Sequence, residues 1–269
     1  MSGVAGSPIF LGLALALIVV ELAWRLRSGQ GYSWPTARTT LGLAAGNFAI
    51  GPLKVVVVGA AYAAVWALTP LRLPLDDWRT WAAAFLLVEF AYYWFHRASH
   101  RVRWLWATHA VHHSAEQMTL LSSMRLGWTS LFSLGWTFYL PIVAIGFHPR
   151  LVLGLVALNL RYQFFLHTEA VGKLGPLEWI FNTPAHHRAH HASNDCYVDR
   201  NYGGVLILFD QLFGTLAPRL DEPIRYGLAH RKDETNPIRL ALREWGILFA
   251  DMRKAGSLKA AVRKALSPP

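Results

Sequence analysis

An all-α integral membrane bundle with a cytoplasmic helical cap is the fold that this 269-residue chain predicts. Three observations carry the prediction. The chain is 54% hydrophobic and only 16% charged, poorer in charge than a typical soluble domain. Five apolar runs of helical length occur along the chain, the second and third and the fourth and fifth joined by short turns. The histidines are gathered at helical spacings beside the ends of those runs, so the cap carries them as boxes.

The first run, residues 9–24, has no basic region ahead of it and no small-residue cleavage site, so it reads as a retained membrane helix. The second covers 41–69. Gly46, Gly51, Pro52 and Lys54 interrupt it, which predicts a broken or interfacial first part and a spanning core in VVVVGAAYAAVWAL. A Pro-rich turn, Thr69 to Asp77, leads to a third run at 78–95. The fourth, 129–147, and the fifth, 151–167, are joined by the turn Gly146 to Arg150. A spanning helix needs roughly 20 apolar residues, so the shorter runs are expected to be half-buried. Segment 237–253 alternates apolar and basic positions at helical spacing. It reads equally as a helix lying on the membrane surface and as a packing helix of the cap. The whole chain, 1–269, reads as one membrane-embedded unit, with a catalytic region at 80–230 and a basic amphipathic segment at 223–269. No internal repeat is visible.

The formal charge of +10 fits cytoplasmic loops and contact with anionic headgroups. Nucleic-acid binding is disfavoured, because no basic stripe stands apart from the apolar runs. The single cysteine, Cys196, excludes an internal disulfide, a thiolate-held iron–sulfur cluster and a Cys-rich zinc site. Placing the end of the first helix in the cytoplasm puts Arg25, Arg27, Arg38, Arg97, Arg101, Arg103 and Arg125 inside and leaves Arg72, Arg79 and Arg150 outside. That obeys the positive-inside tendency. It also places every histidine cluster and the C-terminus on the cytoplasmic side of a multi-pass protein.

Those clusters are the strongest signal. His96 and His100 are spaced i, i+4. His109, His112 and His113 follow, and His187, His190 and His191 repeat the spacing in FNTPAHHRAHH. On a helix such residues share a face, here behind the cap signal Thr183-Pro184. Packed imidazoles repel as cations or compete for hydrogen bonds unless something coordinates them. Neutral imidazole suits zinc, copper, iron and nickel. Eight such residues exceed the four ligands of one tetrahedral ion and predict two ions side by side. Within the apolar runs lie Glu89, Asn159, Arg161, Gln163 and His167, and intramembrane polar groups are functional candidates. His167 reads as a further ligand with Gln163 behind it. Glu89 reads equally as a partner of the cluster and as a hydrogen bond to a neighbouring helix. His148 and His230 stand apart and read as ordinary core or surface residues.

The order HRxxH (His96 to His100), HxxHH (His109 to His113) and TPxHHxxHH (Thr183 to His191) resembles the fatty acid hydroxylase/sterol desaturase superfamily. So do the flanking residues Tyr93-Trp94-Phe95, Ser114, Asn201-Tyr202-Gly203-Gly204 and Asp210 to Thr215. The tract from Cys196 to Thr215 and the later Tyr226 to His230 look similar to the alkylglycerol monooxygenase branch. The resemblance implies a cytoplasmic cap with a dinuclear, all-histidine, non-haem iron centre, two irons per chain. Carried over by motif, its ligands are His96, His100, His109, His112, His113, His187, His190 and His191. The family often carries a further histidine pair ahead of the last box; here the second is His167 and the first position is Gln163. His186 adjoins the box, either as a ligand or as a base behind it.

That chemistry would be an O2-dependent hydroxylation or desaturation of a sterol, fatty acyl or ether lipid. With no Gly-rich dinucleotide fingerprint and no thiolate cluster, the electrons would come from a separate ferredoxin or cytochrome, or from a reduced pterin. Arg97, Arg101 and Arg103 read as a basic patch for an acidic donor or for headgroups. A membrane metal transporter would place carboxylates among its histidines at mid-membrane. A zinc-dependent membrane hydrolase would be expected to show HExxH, and the sequence lacks it.

Overall fold

The computed structural model describes residues 8–218, 222–229, 231 and 234–269; His230 lies outside them. The helices are α1 (Pro8–Arg27), α2 (Trp34–Leu68), α3 (Trp78–Arg101), α4 (Arg103–His113), α5 (Leu140–Ala144), α6 (Pro149–Phe164), α7 (Pro184–His190), α8 (Leu208–Leu212), α9 (Pro237–Arg253) and α10 (Leu258–Leu266). The described residues hold no strand, only two isolated bridges, Phe181 to Leu206 and Ala192 to Tyr226. The chain is thus all-helical, as the sequence predicts.

Helices α1 and α2 are long and apolar enough to cross a membrane, and both leave most of their surface uncovered. Ser33 caps α2 by accepting from the Thr36 N–H, with Pro35 in the first turn. The expected break at Gly46, Gly51, Pro52 and Lys54 does not occur: α2 runs unbroken for 35 residues. Gly46 makes room for a neighbour instead. A Cβ on Gly46 would stand 2.3 Å from the Trp128 ring, whose Nε1 donates to the Leu43 carbonyl at 2.8 Å. Asn47 donates to the Leu126 carbonyl at 2.7 Å and accepts from Lys54 at 2.8 Å.

The expected fourth helix, 129–147, is also corrected. That stretch is a string of short 3₁₀ turns, Trp128–Ser130 and Gly135–Tyr139, ending in α5. Leu134 takes a left-handed φ of 62°, and a Cβ on Gly135 would sit 2.3 Å from the Phe95 ring. The chain folds tightly against α3 there rather than spanning. The core lies between α2, α3, α5 and α6, where Tyr62, Val88, Tyr92, Ile142 and Val152 are buried together. His148 caps α6, its Nδ1 accepting from the Arg150 N–H at 3.1 Å. On the other side α9 packs on α4 through Trp245 and Leu248 against Ala107 and Trp104. Segment 237–253 is therefore a packing helix of the cap. It also leaves Ile238, Leu242 and Phe249 exposed on its outer face.

One buried carboxylate pins α1 to the body. Glu21 accepts from the Leu120 N–H at 2.6 Å and from the Thr168 hydroxyl. Replacing Glu21 with Ala strands both donors, which costs on the order of 1–3 kcal/mol for each donor left unpaired. The expected outcome is a lowered midpoint of thermal unfolding in detergent, with Glu21→Gln, which keeps an acceptor, falling between Glu21→Ala and the parent.

Candidate metal centre

Four segments deliver nine histidines to one place: the last turns of α3, helix α4, the residues after α6, and α7 with its C-terminal residue. The rings form two groups. His96, His100, His109, His113 and His190 make the first, and His112, His167, His187 and His191 the second. Within each group one ring nitrogen from every residue lies within 4.8 Å of all the others. The split follows helical rotation. Residues three and four apart share a face, but the two lie about 100° from each other around the helix axis. His109 and His113 go to one group and His112 to the other. His187, His190 and His191 likewise keep their rings in mutual contact, and within that face His187 and His191 join the second group and His190 the first.

The nitrogen spacings are informative. His109 Nε2 lies 3.1 Å from both His96 Nε2 and His113 Nε2. His167 Nε2 lies 3.2 Å from His112 Nε2 and 3.1 Å from His187 Nε2. A ring nitrogen carries one proton or one lone pair, so neither central nitrogen satisfies both neighbours with linear hydrogen bonds. Nitrogens bound to a common ion at about 2.0–2.1 Å stand roughly 3.0–3.4 Å apart at octahedral to tetrahedral angles. The donor set fits a transition metal on that ground.

Three carbonyls set the tautomers. His96 Nδ1 donates to Tyr202 O at 2.9 Å, His190 Nδ1 to Arg200 O at 2.8 Å and His167 Nδ1 to Gln163 O at 2.7 Å. A carbonyl only accepts, so each proton sits on Nδ1 and each lone pair on Nε2, aimed inward. Nε2 of His100, His190 and His191 is buried with no hydrogen-bond partner. Burial, reinforced by the neighbouring imidazoles, holds His109 down to about 3; burial likewise holds His190 to about 4, against the pull of the Arg200 carbonyl. The rings are neutral at physiological pH, as metal ligation requires. Neither group contains a carboxylate, which suits iron, zinc, copper or nickel and not magnesium or calcium.

The loop after α7 is the mount for the first group. Asp199 and Asn201 take left-handed φ values of 61° and 57°. Asn201 donates to the His186 carbonyl at 2.9 Å and accepts from the Ala217 N–H at 2.7 Å. The buried Asp210 carboxylate accepts from Tyr202 N and Gly203 N, each at 2.7 Å. Glu89 lies away from the rings. It accepts from Val205 N at 2.8 Å, Leu206 N at 3.0 Å and Asn159 Nδ2 at 2.6 Å. A Cβ on Gly204 would fall 2.0 Å from Asn159 Nδ2, and one on Gly203 would fall 2.3 Å from the Leu206 carbonyl. Gln163 orients His167 through its backbone, while its side chain accepts from the Tyr92 hydroxyl at 2.8 Å. His186 belongs to neither group. A cavity of about 440 Å³ opens on His100, His113, His190 and His191, with Trp106, Asp199 and Arg231 in its wall.

Sequence reasoning missed the mounting role of Asp199, Asn201 and Asp210. Carbonyl placement leaves no mark on spacing, although an Asn-Tyr-Gly-Gly tract ending six residues before an aspartate hints at a tight, held turn. The basic patch is not free either. Arg101 pairs with Asp199 at 2.6 Å and Arg103 with Asp251 at 2.7 Å, and Arg97 donates to the Tyr93 hydroxyl at 3.1 Å. Replacing Asp210 with Ala releases Tyr202 and Gly203, and with them the carbonyl that holds His96. The expected outcome is faster loss of metal to a chelator and a lower unfolding midpoint, although Asp210 touches no imidazole.

Residues 81–215 match the fatty acid hydroxylase family model. The chain is 43% identical over 227 residues to an alkylglycerol monooxygenase of Danio rerio, covering 83% of this chain and 49% of the relative. It is 38% identical over 237 residues to the Homo sapiens alkylglycerol monooxygenase, covering 87% and 52%. An ornithine lipid hydroxylase of Rhizobium tropici is 32% identical over 142 residues, 50% of this chain and 43% of the relative. The chain spans about half the length of the curated relatives it matches. No solved structure matches it. All three histidine boxes fall inside the matched span, and with their rings converging as they do, this chain belongs to the fatty acid hydroxylase family.

Proposed function

We propose that this membrane protein is an O2-dependent lipid hydroxylase whose nine clustered histidines hold two iron ions, and that its substrate is an ether lipid of the alkylglycerol kind. The observation that carries the reading is the pair of buried, neutral imidazole groups with their lone pairs directed at two adjacent points. The similarity to alkylglycerol monooxygenases supports the substrate class. Two irons bound there would supply O2 activation and oxidation of an unactivated C–H bond.

The chain supplies the rest. Five nitrogens converge on one point and four on the other, and Gln163, at the sequence position where the family often carries a further histidine, bonds to Tyr92 and Asn159 instead. The asymmetry leaves the second group with fewer protein donors. The Arg200, Tyr202 and Gln163 carbonyls keep the rings from swinging. Eight of the nine histidines are buried and His109 is half-buried, which limits the access of bulk water to the cavity side. Hydroxylation consumes two electrons and two protons per O2 and releases water with the alcohol. The donor is a separate ferredoxin or cytochrome, or a reduced pterin. We assign a multi-pass topology with the boxes and the C-terminal helices in the cytoplasm, supported by the arginine distribution.

The transporter reading is weaker, because the Glu89 carboxylate is occupied by two backbone N–H groups and Asn159. The hydrolase reading lacks a carboxylate within either group.

Metal analysis of detergent-purified protein is expected to give about two irons per chain. His100→Ala removes roughly one of them, His187→Ala roughly the other, and the double variant both. Membranes containing the parent are expected to consume O2 and oxidise an alkylglycerol when supplied with reductant. All three variants lose that activity. Full metal content in the double variant overturns the site, and a metal-loaded protein that oxidises only a sterol or an acyl chain overturns the substrate.

A further inference from the structure

Arg161 is the one intramembrane candidate of α6 that the metal centre does not use. It sits a turn before the end of the helix, and its neighbours Leu158 and Leu160 face outward, 50% and 48% exposed. Its guanidinium lies over the Phe10 ring of α1 at 4.9 Å. Its Nε and Nη2 are buried and have no hydrogen-bond partner. No acid pairs with it among the described residues, and none of residues 1–7 is acidic. Arg25 and Arg188, by contrast, are satisfied. Arg25 holds Glu169 at 2.6 Å and Gly31 O at 3.0 Å. Arg188 holds the carbonyls of Thr168 and Val171.

A guanidinium is always charged, and burying it without an acceptor is costly. An intramembrane charge of this kind marks a partner. The two unpartnered donors, Nε–H and Nη2–H, form one edge of the fork, the geometry that grips two oxygens of a phosphate. The next residue, Tyr162, donates to Asn182 O at 2.7 Å, at the root of a loop that turns Leu174, Leu177 and Trp179 outward, 41%, 54% and 69% exposed. Exposed Trp and Leu on a ledge of this kind mark the membrane–water interface. Along α1, Phe10 packs edge-on against Phe164 and Phe165 at 5.8 Å and 6.2 Å.

We propose that Arg161, seated between α1 and α6 over Phe10, binds the phosphodiester of an anionic phospholipid and so ties α1 to the catalytic body. The site takes no part in oxidation and stands whether or not the chain is a lipid hydroxylase. It supplies α1 with a second fastening beyond Glu21 and Arg25, at the end of the helix those two residues leave unheld.

The test uses the full chain in detergent. Purified protein is washed, its bound phospholipid is extracted and quantified, and its unfolding midpoint is followed as phosphatidylglycerol, phosphatidylcholine or inorganic phosphate is added. The parent is expected to retain about one anionic phospholipid per chain and to gain stability with phosphatidylglycerol alone. Arg161→Gln is expected to lose the retained lipid and the response, with its metal content unchanged. Equal retention in the variant, equal stabilisation by phosphatidylcholine, or stabilisation by inorganic phosphate alone overturns the proposal. Should Arg161→Gln fail to fold, Arg161→Lys, which keeps the charge without the fork, is expected to bind phosphatidylglycerol several-fold more weakly. A parent indifferent to phosphatidylglycerol overturns the proposal by itself.

Discussion

Nine neutral imidazoles packed nitrogen to nitrogen, with no acid among them, are the constraint on which the rest of this structure depends. Such a cluster has no hydrogen-bonding scheme of its own, because each central nitrogen meets two others and holds one proton or one lone pair. It must be oriented from outside. The chain does this with backbone carbonyls, which accept and never donate, so that the lone pairs are left facing inward.

Those carbonyls then need rigid mounts, and the buried polar groups of the bundle provide them. Asp210 clamps Tyr202 and Gly203, and Glu89 clamps Val205 and Leu206 from the apolar side. Asn159 and Gln163 link Glu89 to Tyr92, whose ring lies 5.3 Å from that of His96. Each group would be expensive alone at this depth. Together they form a connected network beneath the centre, in which the partners of one residue are the supports of the next.

The membrane part is organised by different means. Helices α1 and α2 present apolar faces outward and touch the body through few residues. Polar anchors and close approaches do the fastening: Glu21 and Arg25 on α1, and Gly46 with Asn47 on α2. Apolar residues are also exposed on the 171–181 segment and on the outer face of α9. The body is thus a helical core dressed on one side for lipid and closed on the other by α9 and α10.

The all-helical class, the helix start at Thr183-Pro184 and the set of histidines whose rings converge were legible from the sequence. Each rests on local physics: period 3.6, a capping side chain and the cost of uncoordinated imidazoles. The division of nine histidines into five and four was not legible, because it depends on how four segments meet in space. Nor were the unbroken α2 and the folded 129–147 stretch. Gly46 looks like an interruption until Trp128 is seen filling the gap, and apolar run length cannot distinguish a span from a chain packed back on α3. Glu89 was visible as a buried acid, but its task is to hold backbone 116 and 117 residues away. Partners at that separation are chosen by tertiary packing, since backbone donors carry no residue identity for a sequence to record.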